Sequence, residues 1–409
     1  MMRIARKTLL PLLGVAASAA CNFTSDPVLG VEGMDWEITP ARGGGSGIAI
    51  DPDGNVVVAG TSWSAEDEDD DQRQDAWLGK FDSAGREIWT SRFGGERRDF
   101  AYDVAADNEA NLFVVGTEEV LGNSRAFVRK LDSDGTEIWA RTAGGGVTGR
   151  DRAQGVATDA GGNAFVAGAV DVGDYLDFDA DPWLRKYDPD GNELWTVTVP
   201  GGDDFAYGVA TDPQGDAIIV GQAEVEDGQD WVAFMRKYDA DGNELWASEF
   251  EREGDNAAIA VATDDGGNIY STGNVTVDQW SEEYGTESHR VVAASIRKLD
   301  PDGVELWSQT FEADVGTPGD DPVAMGFGIA PTPEGGAFVV GYASEGAGGD
   351  IWIGRYGSDG EPISTRRIDC PRGGDDQGAG VAIDGSGRFY ATGHLCESPA
   401  EIWIARFDE

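Results

Sequence analysis

The sequence is poor in the residues that most often carry catalysis or bind transition metals. Its 409 residues include two histidines, five methionines and three cysteines. A three-histidine metal site is therefore impossible, and His289 and His394 both fall in variable segments predicted to be loops, with no nucleophilic serine or cysteine motif beside them. This composition disfavours an enzyme but leaves the question of catalysis open.

Basic residues are also scarce. Lysine and arginine total 30 against 76 acidic residues, which gives a formal net charge of -46. A polyanion of this charge repels nucleic acid and anionic lipid surfaces. The expected partners are cations, neutral surfaces or basic proteins, and nucleic acid is excluded.

Long hydrophobic runs are absent beyond the beginning of the chain. The apolar run from Leu9 to Val15 is too short to span a bilayer, and three basic residues precede it. This order of basic, apolar and small residues predicts a signal peptide over residues 1–20.

The predicted signal peptide ends in a short cysteine motif. The letters "SAAC" at residues 18–21 resemble a bacterial lipobox, which implies a lipidated Cys21 and a tether over residues 21–33. The alternative is an ordinary cleaved signal followed by a coincidental cysteine. We therefore expect an exported protein, anchored by its lipid alone in the outer membrane or at the cell surface.

The rest of the chain is repetitive. The segment "GVATDAGGNAFVAG" at residues 155–168 returns as "GVATDPQGDAIIVG" at residues 208–221. Seven copies of this phrase are present, 52 to 68 residues apart, and a second phrase of the type "RKYDPDGNELW" follows most of them. The copies begin at Gly47, Asp103, Gly155, Gly208, Ala260, Gly328 and Gly380.

Each copy has the pattern of four short strands joined by glycine-containing turns. Four strands in about 53 residues is typical of a propeller blade, since one small sheet cannot bury both of its faces alone. The seventh copy lacks its fourth strand, and "MDWEITP" at residues 34–40 supplies an equivalent strand with Trp36. The sequence thus predicts an all-β fold: a single closed seven-bladed β-propeller over residues 34–409, whose N-terminal strand completes the last blade.

The phrases "GGDDFAYGVATD", "GNAFVAG" and "DGNELW" together resemble the bacterial SBBP-type β-propeller repeat family over nearly the whole mature chain. The resemblance implies a surface or secreted scaffold and supplies no catalytic residues. The sixth copy departs from the pattern, with Pro331 in its first strand, Gly357 in place of the usual aspartate and Ser364 in place of the tryptophan.

Variable loops indicate where a partner binds. In a four-stranded antiparallel blade, the connections after the second strand lie on one face, here called the loop face, and the tight turns lie on the opposite turn face. The variable connections are rich in acidic residues, such as Glu66 to Asp71, and Trp63, Trp231 and Trp280 lie near them. We expect these tryptophans to anchor a partner, because a merely solubilising surface does not need exposed aromatic groups.

Two sets of acidic residues are candidate cation ligands. Asp177, Asp179 and Asp181 alternate as calcium ligands do, but they lack the glycine and the bidentate glutamate of an EF-hand loop. The second set recurs four residues before its repeat, at the expected mouth of a central channel, and consists of Asp99, Asp151, Asp204 and Asp376. Capping of the entering loop explains the recurrence more simply than a cation does, so no cofactor is expected and Ca²⁺ is the alternative.

Cys370 and Cys396 are the cysteines that remain after Cys21. Because disulfides persist in exported proteins, we expect a bridge between them, near the point of ring closure on the loop face. The alternative is two unrelated buried thiols.

These features favour a monomeric, non-enzymatic scaffold of the cell envelope. Its acidic loop face would bind a protein, a polysaccharide or a cation. The alternative is a hydrolase or lyase that uses carboxylates on the same face, which would require two or three acids close together in a buried pocket.

Overall fold

The computed structural model describes most of the chain between residues 33 and 408. The described ranges are 33–63, 74–95, 97–120, 123–143, 151–171, 180–225, 230–250, 254–280, 288–313, 322–344, 348–370, 373–396 and 400–408. The predicted signal peptide, Cys21, residues 22–32 of the tether and the acidic block from Glu66 to Asp71 lie outside these ranges. Within them, no helix is long and apolar enough to cross a membrane.

The fold is all-β, with 28 strands in the order β1 to β28. The first strand, β1, is Met34–Ile38. The strands β2 to β13 are Gly43–Ile50, Val56–Trp63, Gln74–Phe81, Glu87–Phe93, Asp99–Ala106, Leu112–Val120, Asn123–Leu131, Glu137–Ala143, Arg152–Thr158, Ala164–Asp171, Ala180–Tyr187 and Glu193–Thr198. The strands β14 to β28 are Phe205–Thr211, Ala217–Glu224, Trp231–Tyr238, Glu244–Phe250, Ala257–Thr263, Ile269–Trp280, Ser288–Leu299, Glu305–Phe311, Val323–Pro331, Ala337–Ser344, Gly349–Tyr356, Pro362–Ile368, Gln377–Ile383, Phe389–Leu395 and Glu401–Phe407.

Consecutive strands pair antiparallel in sets of four, beginning with β2 to β5. The second strand of a set is buried on both faces, as Val56, Val57 and Val58 show, whereas the fourth strand alternates between exposed and half-buried residues. The sets from β18 to β21 and from β22 to β25 join into one eight-stranded sheet through a single parallel pair, Val292 with Val323. The first five sets therefore bury their middle strands and leave their fourth strand at the exposed outer edge, whereas β1 is largely buried.

The last set contains β26, β27 and β28 and takes its remaining strand from the other end of the chain. Strand β1 pairs antiparallel with β28, and Ile38 lies opposite Ile404. This is the pairing that the "MDWEITP" segment predicts. It leaves no hairpin turn between the third and fourth strands of this set.

Aspartate and glycine determine the hairpin turns. In the first turn, the Asp51 carboxylate accepts hydrogen bonds from the Asp53 and Asn55 backbone N–H groups at 3.0 and 2.8 Å. Gly54 adopts a φ of 80°, which a residue with a Cβ rarely adopts. The repeated aspartate thus stabilises the hairpin turn by accepting hydrogen bonds from the backbone of the residues that follow it.

Adjacent sets are joined by a repeated pair of side chains. The indole N–H of Trp139 and the ammonium of Lys130 both donate to the Pro189 carbonyl oxygen, at 3.0 and 3.3 Å, in the turn of the next set. The ring lies against Gly191, where an added Cβ would come within 2.7 Å of it. The same two-donor arrangement, here called the latch, is made by Trp89 with Lys80, Trp195 with Lys186, Trp246 with Lys237, and Trp36 with Arg406.

The latch also explains one departure in the sixth copy, the serine at position 364. Because β28 and β1 are not joined by a turn, the last set has no turn carbonyl for the sixth set to bond. Ser364 stands where the other copies have tryptophan, and it is exposed. At this junction the structure instead has a shared apolar cluster, including Phe338 with Phe389, and the Cys370–Cys396 disulfide.

Candidate functional site

The first strands of all seven sets surround a lumen. The lumen holds a cavity of about 580 Å³, lined by residues of β2, β6, β10, β14, β18, β22 and β26. Much of the lining is backbone, because each first strand presents an edge that no neighbouring strand covers. Its polar side chains are those of Ser46, Thr61, Tyr102, Asp103, Gln154, Tyr207, Gln377 and His394.

Asp103 is the acidic residue of this lining. Its two carboxylate oxygens accept hydrogen bonds from the backbone N–H groups of Val104 at 2.8 Å and of Val156, in the next set, at 2.9 Å. Burial raises its pKa to about 7, because these two bonds compensate only part of the lost hydration. Sequence reasoning missed this residue, although one signal was visible: the other copies have glycine or Ala260 at its position.

The loop face contains two of the predicted aromatic anchors among its described side chains. Trp63 ends β3 and Trp231 begins β16, and both are half-buried. The Trp231 ring lies 6.0 Å from the ring of Phe205. Trp280 ends β19, but its side chain lies outside the described part of the structure. The three tryptophans stand on different sets, the first, the fourth and the fifth.

Both histidines lie in strands, which corrects their predicted placement in loops. His289 is in β20 and His394 is in β27. The acidic segment after Asn274 forms a long hairpin instead of a loop, since β19 continues to Trp280 and pairs with Ser288. Strands β19 and β20 extend this far because they pair with each other along their whole length, and local composition does not reveal that pairing.

The repeated acids before each first strand bind backbone groups. Asp99 accepts from the Glu119 N–H at 3.1 Å, Asp151 from Asp171 at 3.3 Å, and Asp204 from Glu224 at 2.8 Å. Asn256 makes the equivalent bond in the fifth set, to Thr276. Each bond joins the entry of the first strand to the end of the second, and these acids are absent from the residues that line the lumen cavity.

Burial raises the pKa of several of these acids. The pKa of Asp204 rises to about 6, and those of Asp99 and Asp376 also rise, because burial outweighs the backbone hydrogen bonds. Raised carboxyl pKa values are typical of catalytic acids as well as of buried caps. Here the three acids belong to different sets and each is already bonded to backbone, which fits capping.

The predicted calcium segment is described only in part. Asp177 and Asp179 lie outside the described ranges, while Asp181 lies in β12 and accepts from the Gly201 N–H at 3.2 Å. Elsewhere, Asp350, Asp369 and Asp376 bring carboxylate oxygens within 4.8 Å of one another, a spacing that could hold a divalent cation. The oxygens of Asp376 accept from Cys370 and Cys396, so this residue is engaged in holding the backbone.

The structure joins Cys370 and Cys396 in a disulfide, with 5.6 Å between their Cα atoms. Both residues are buried, and the buried Asp376 carboxylate accepts both of their backbone N–H groups, at 2.7 and 2.6 Å. The bridge therefore connects the segment that follows β25 with the end of β27, across the junction that lacks the latch.

Comparison with known proteins identifies the fold. No family model matches the chain. A segment of 108 residues is 29% identical to the WD repeat-containing protein L264 of Acanthamoeba polyphaga mimivirus, covering 22% of this chain and 8% of that protein. The Neurospora crassa Pan2 WD40 domain superposes with a TM-score of 0.51 at 12% identity, covering 90% of this chain and 92% of the domain. Sqt1 from Chaetomium thermophilum gives 0.51 at 11% identity, covering 92% and 99%.

These relatives correct the family assignment. The resemblance to SBBP-type repeats is wrong, because the sequence match is to a WD-repeat protein and the Pan2 structure is a WD40 domain. The prediction of an outer-membrane lipoprotein is not supported either, since the matches are to a WD repeat-containing protein, to a WD40 domain and to Sqt1. The chain has a β-propeller fold of the WD40 type. Short phrases built from turn and strand residues misled the assignment, because unrelated propeller repeats need the same turns.

Proposed function

We propose that the seven sets are the blades of one closed propeller spanning residues 34–409. Support comes from β1, which pairs with β28 and makes through Trp36 and Arg406 the same latch that joins internal blades. Contacts also run between the first strands of all successive sets and between β26 and β2. Closure removes the exposed sheet edges that an open stack would leave at its ends.

We further propose that the protein is a non-enzymatic scaffold that binds a partner protein through its loop face. The observation that carries this proposal is the contrast between blades that repeat their strands, turns and latches and connections that differ from blade to blade. WD40 propellers commonly mediate protein interactions, and a rigid frame with variable loops suits that role. A net charge of -46 favours a basic partner whose binding weakens as salt rises.

The catalytic alternative receives less support from the geometry. The capping acids with raised pKa values, Asp99, Asp204 and Asp376, lie in different blades and each accepts backbone hydrogen bonds. Asp103, whose pKa is also raised, lies on the same strand as Asp99, but both of its carboxylate oxygens accept backbone N–H groups. General acid–base catalysis requires two such groups within reach of one substrate. Two further proposals concern the same face: a cation bound at Asp181, and a polysaccharide bound near Trp231.

We also propose that the protein is exported. The order of residues 1–20 supports export, and so does the Cys370–Cys396 disulfide, because disulfides persist in oxidising compartments.

Site-specific photo-crosslinking tests the choice of face. A photoreactive amino acid replaces Trp63 on the loop face in one variant and exposed Asp190 on the turn face in another. We expect the loop-face variant alone to crosslink a basic protein, and the combined W63A and W231A substitutions to weaken binding of that purified protein at least tenfold. Equal capture from both faces, or unchanged affinity of the double variant at low and high salt, would contradict the proposal.

A further inference from the structure

The first residue of each repeat sits where neighbouring blades come closest together. A Cβ added to Gly155 or Gly208 would lie 3.0 or 2.9 Å from a carbonyl oxygen of the next blade. Five of the seven copies accordingly have glycine at this position, and the fifth copy has Ala260. The second copy instead has Asp103, whose carboxylate fits because it bonds the Val156 N–H of the third blade.

This substitution introduces a carboxylate into the lumen without an ion-pair partner among the described residues. The backbone N–H groups of Val156 and Val104 stabilise the ionised carboxylate and offset part of the cost of removing it from water. Aromatic side chains of the same lining, Tyr102 and Tyr207, lie on the second and fourth blades. The rings of Tyr102 and Tyr207 stack on Phe100 and Phe205. A half-buried carboxylate in a lining that also contains aromatic rings favours an organic cation, by charge pairing and by attraction to the rings.

We propose that the lumen binds an alkylammonium group, with Asp103 as its counter-ion. The cavity of about 580 Å³ has room for such a group and for the carbon chain that carries it. The ammonium can belong to a free amine or to a lysine side chain. This inference is independent of the loop-face proposal, because the lumen and the loop face use different residues.

The lining fits this ligand better than an inorganic cation. Calcium takes about 6 to 8 oxygen ligands, usually from several carboxylates, whereas the acid among the residues that line this cavity is Asp103. One carboxylate balances one ammonium charge. The hydroxyl and amide groups of Gln154, Tyr207 and Gln377 can accept the remaining ammonium hydrogen bonds.

The test uses n-butylammonium as the probe and n-butanol as its neutral counterpart. Ligand-observed NMR gives the affinity, and the amide shifts of Val104 and Val156 in the full chain report the position. We expect saturable binding of one butylammonium per chain with shifts at both amides, and binding of butanol at least tenfold weaker. Absence of saturation, or equal affinity for butanol, would overturn the proposal.

Three variants give the controls. Asp103→Asn preserves the shape and removes the charge, and should weaken butylammonium binding at least tenfold. Asp103→Gly restores the residue of the other copies, so it should fold and also lose binding. Asp190→Asn removes one exposed charge and should bind as the wild type does, which separates the site from general attraction to a polyanion. Equal binding by all three variants would refute a role for Asp103.

The pH dependence gives an independent readout. An ionised carboxylate binds an ammonium and a protonated one does not, so affinity should fall at least tenfold between pH 8 and pH 5. The other titratable groups of the lining are His394, Tyr102 and Tyr207, while β2, β7 and β10 face Asp103 with Gly47, Val115 and Val156. A His394→Gln variant with the same pH profile would assign the effect to Asp103, and loss of the profile in that variant would contradict it.

The tripeptide acetyl-Ala-Lys-Ala-amide distinguishes the two sources of the ammonium. If it competes with butylammonium and shifts the same amides, a lysine side chain of a protein is the source. If butylammonium alone enters, the source is a free amine. Both results require that Asp103→Asn abolishes the shifts.

Discussion

Trp36 offers the sharpest test of ring closure. Its side chain is 3% exposed, its indole N–H donates to the Ser83 carbonyl oxygen at 3.3 Å, and an added Cβ on Gly85 would lie 2.9 Å from its ring. Replacing a buried tryptophan by alanine removes these contacts and leaves a cavity, which costs about 3–5 kcal/mol. In a closed ring, Trp36→Ala should therefore lower the free energy of unfolding by about 3–5 kcal/mol.

Trp139→Ala is the matched control. Trp139 is 8% exposed and makes the same latch between two blades that lie far from either chain end. Equilibrium unfolding in urea, followed by circular dichroism, compares the two variants at equal m-values. We expect their losses to agree within about 1 kcal/mol, a margin that allows for context dependence. A loss below about 1 kcal/mol for Trp36→Ala beside a loss of several for Trp139→Ala would show that β1 only frays and that the ring is open.

Three further outcomes can be measured on the same protein. The double variant C370A and C396A should have a free energy of unfolding about 3.5 kcal/mol lower than the wild type, because the disulfide, over a sequence separation of 26, restricts the unfolded chain. An unchanged denaturation midpoint would contradict this. Because burial raises the pKa of folded Asp103 from 3.8 to about 7, the free energy of unfolding of the wild type should fall as pH rises from about 4 to about 7. Asp103→Asn lacks this titration, so its free energy of unfolding should rise by about 2–4 kcal/mol relative to the wild type over that window, and parallel pH profiles of the two proteins would refute this. Lys237→Met should cost about 3–5 kcal/mol by leaving Asp212 buried without its cation, and adding Asp212→Asn should recover part of that loss, which thermal unfolding would detect.

The local structure of this protein was readable from its sequence because hairpins are determined by short-range chemistry. Asp51, Gly54 and Asn55 form their turn with one another's backbone, so the phrase that contains them predicts the turn wherever it recurs. Short strand-like segments between glycine-containing turns predicted four strands in each copy. The family did not follow from these phrases, because any propeller repeat needs the same turns.

Other features depend on residues that meet only in the folded chain. The recurring lysines, such as Lys130, find their partners only in the structure, which pairs Lys130 with Asp107 and with the next blade's turn. Likewise, capping was the favoured role of the recurring acids, but the structure identifies the groups they bond, which are backbone N–H groups at the ends of second strands and not groups at a channel mouth. Sequence spacing gives the distance along one strand, but it does not give the direction in which a side chain points between two blades.

The sequence by itself determined the all-β fold and its sets of four strands, because the turns are local. It also indicated the strand that β1 supplies to the last set, because the seventh copy lacks a fourth strand. The tertiary structure decided which residues share a space: Asp103 with Val156 across two blades, and Arg406 with Ser83 across the two ends of the chain. Those contacts arise from the curvature of stacked sheets around a lumen. Curvature sums small twists over all the strands, and no single repeat encodes it.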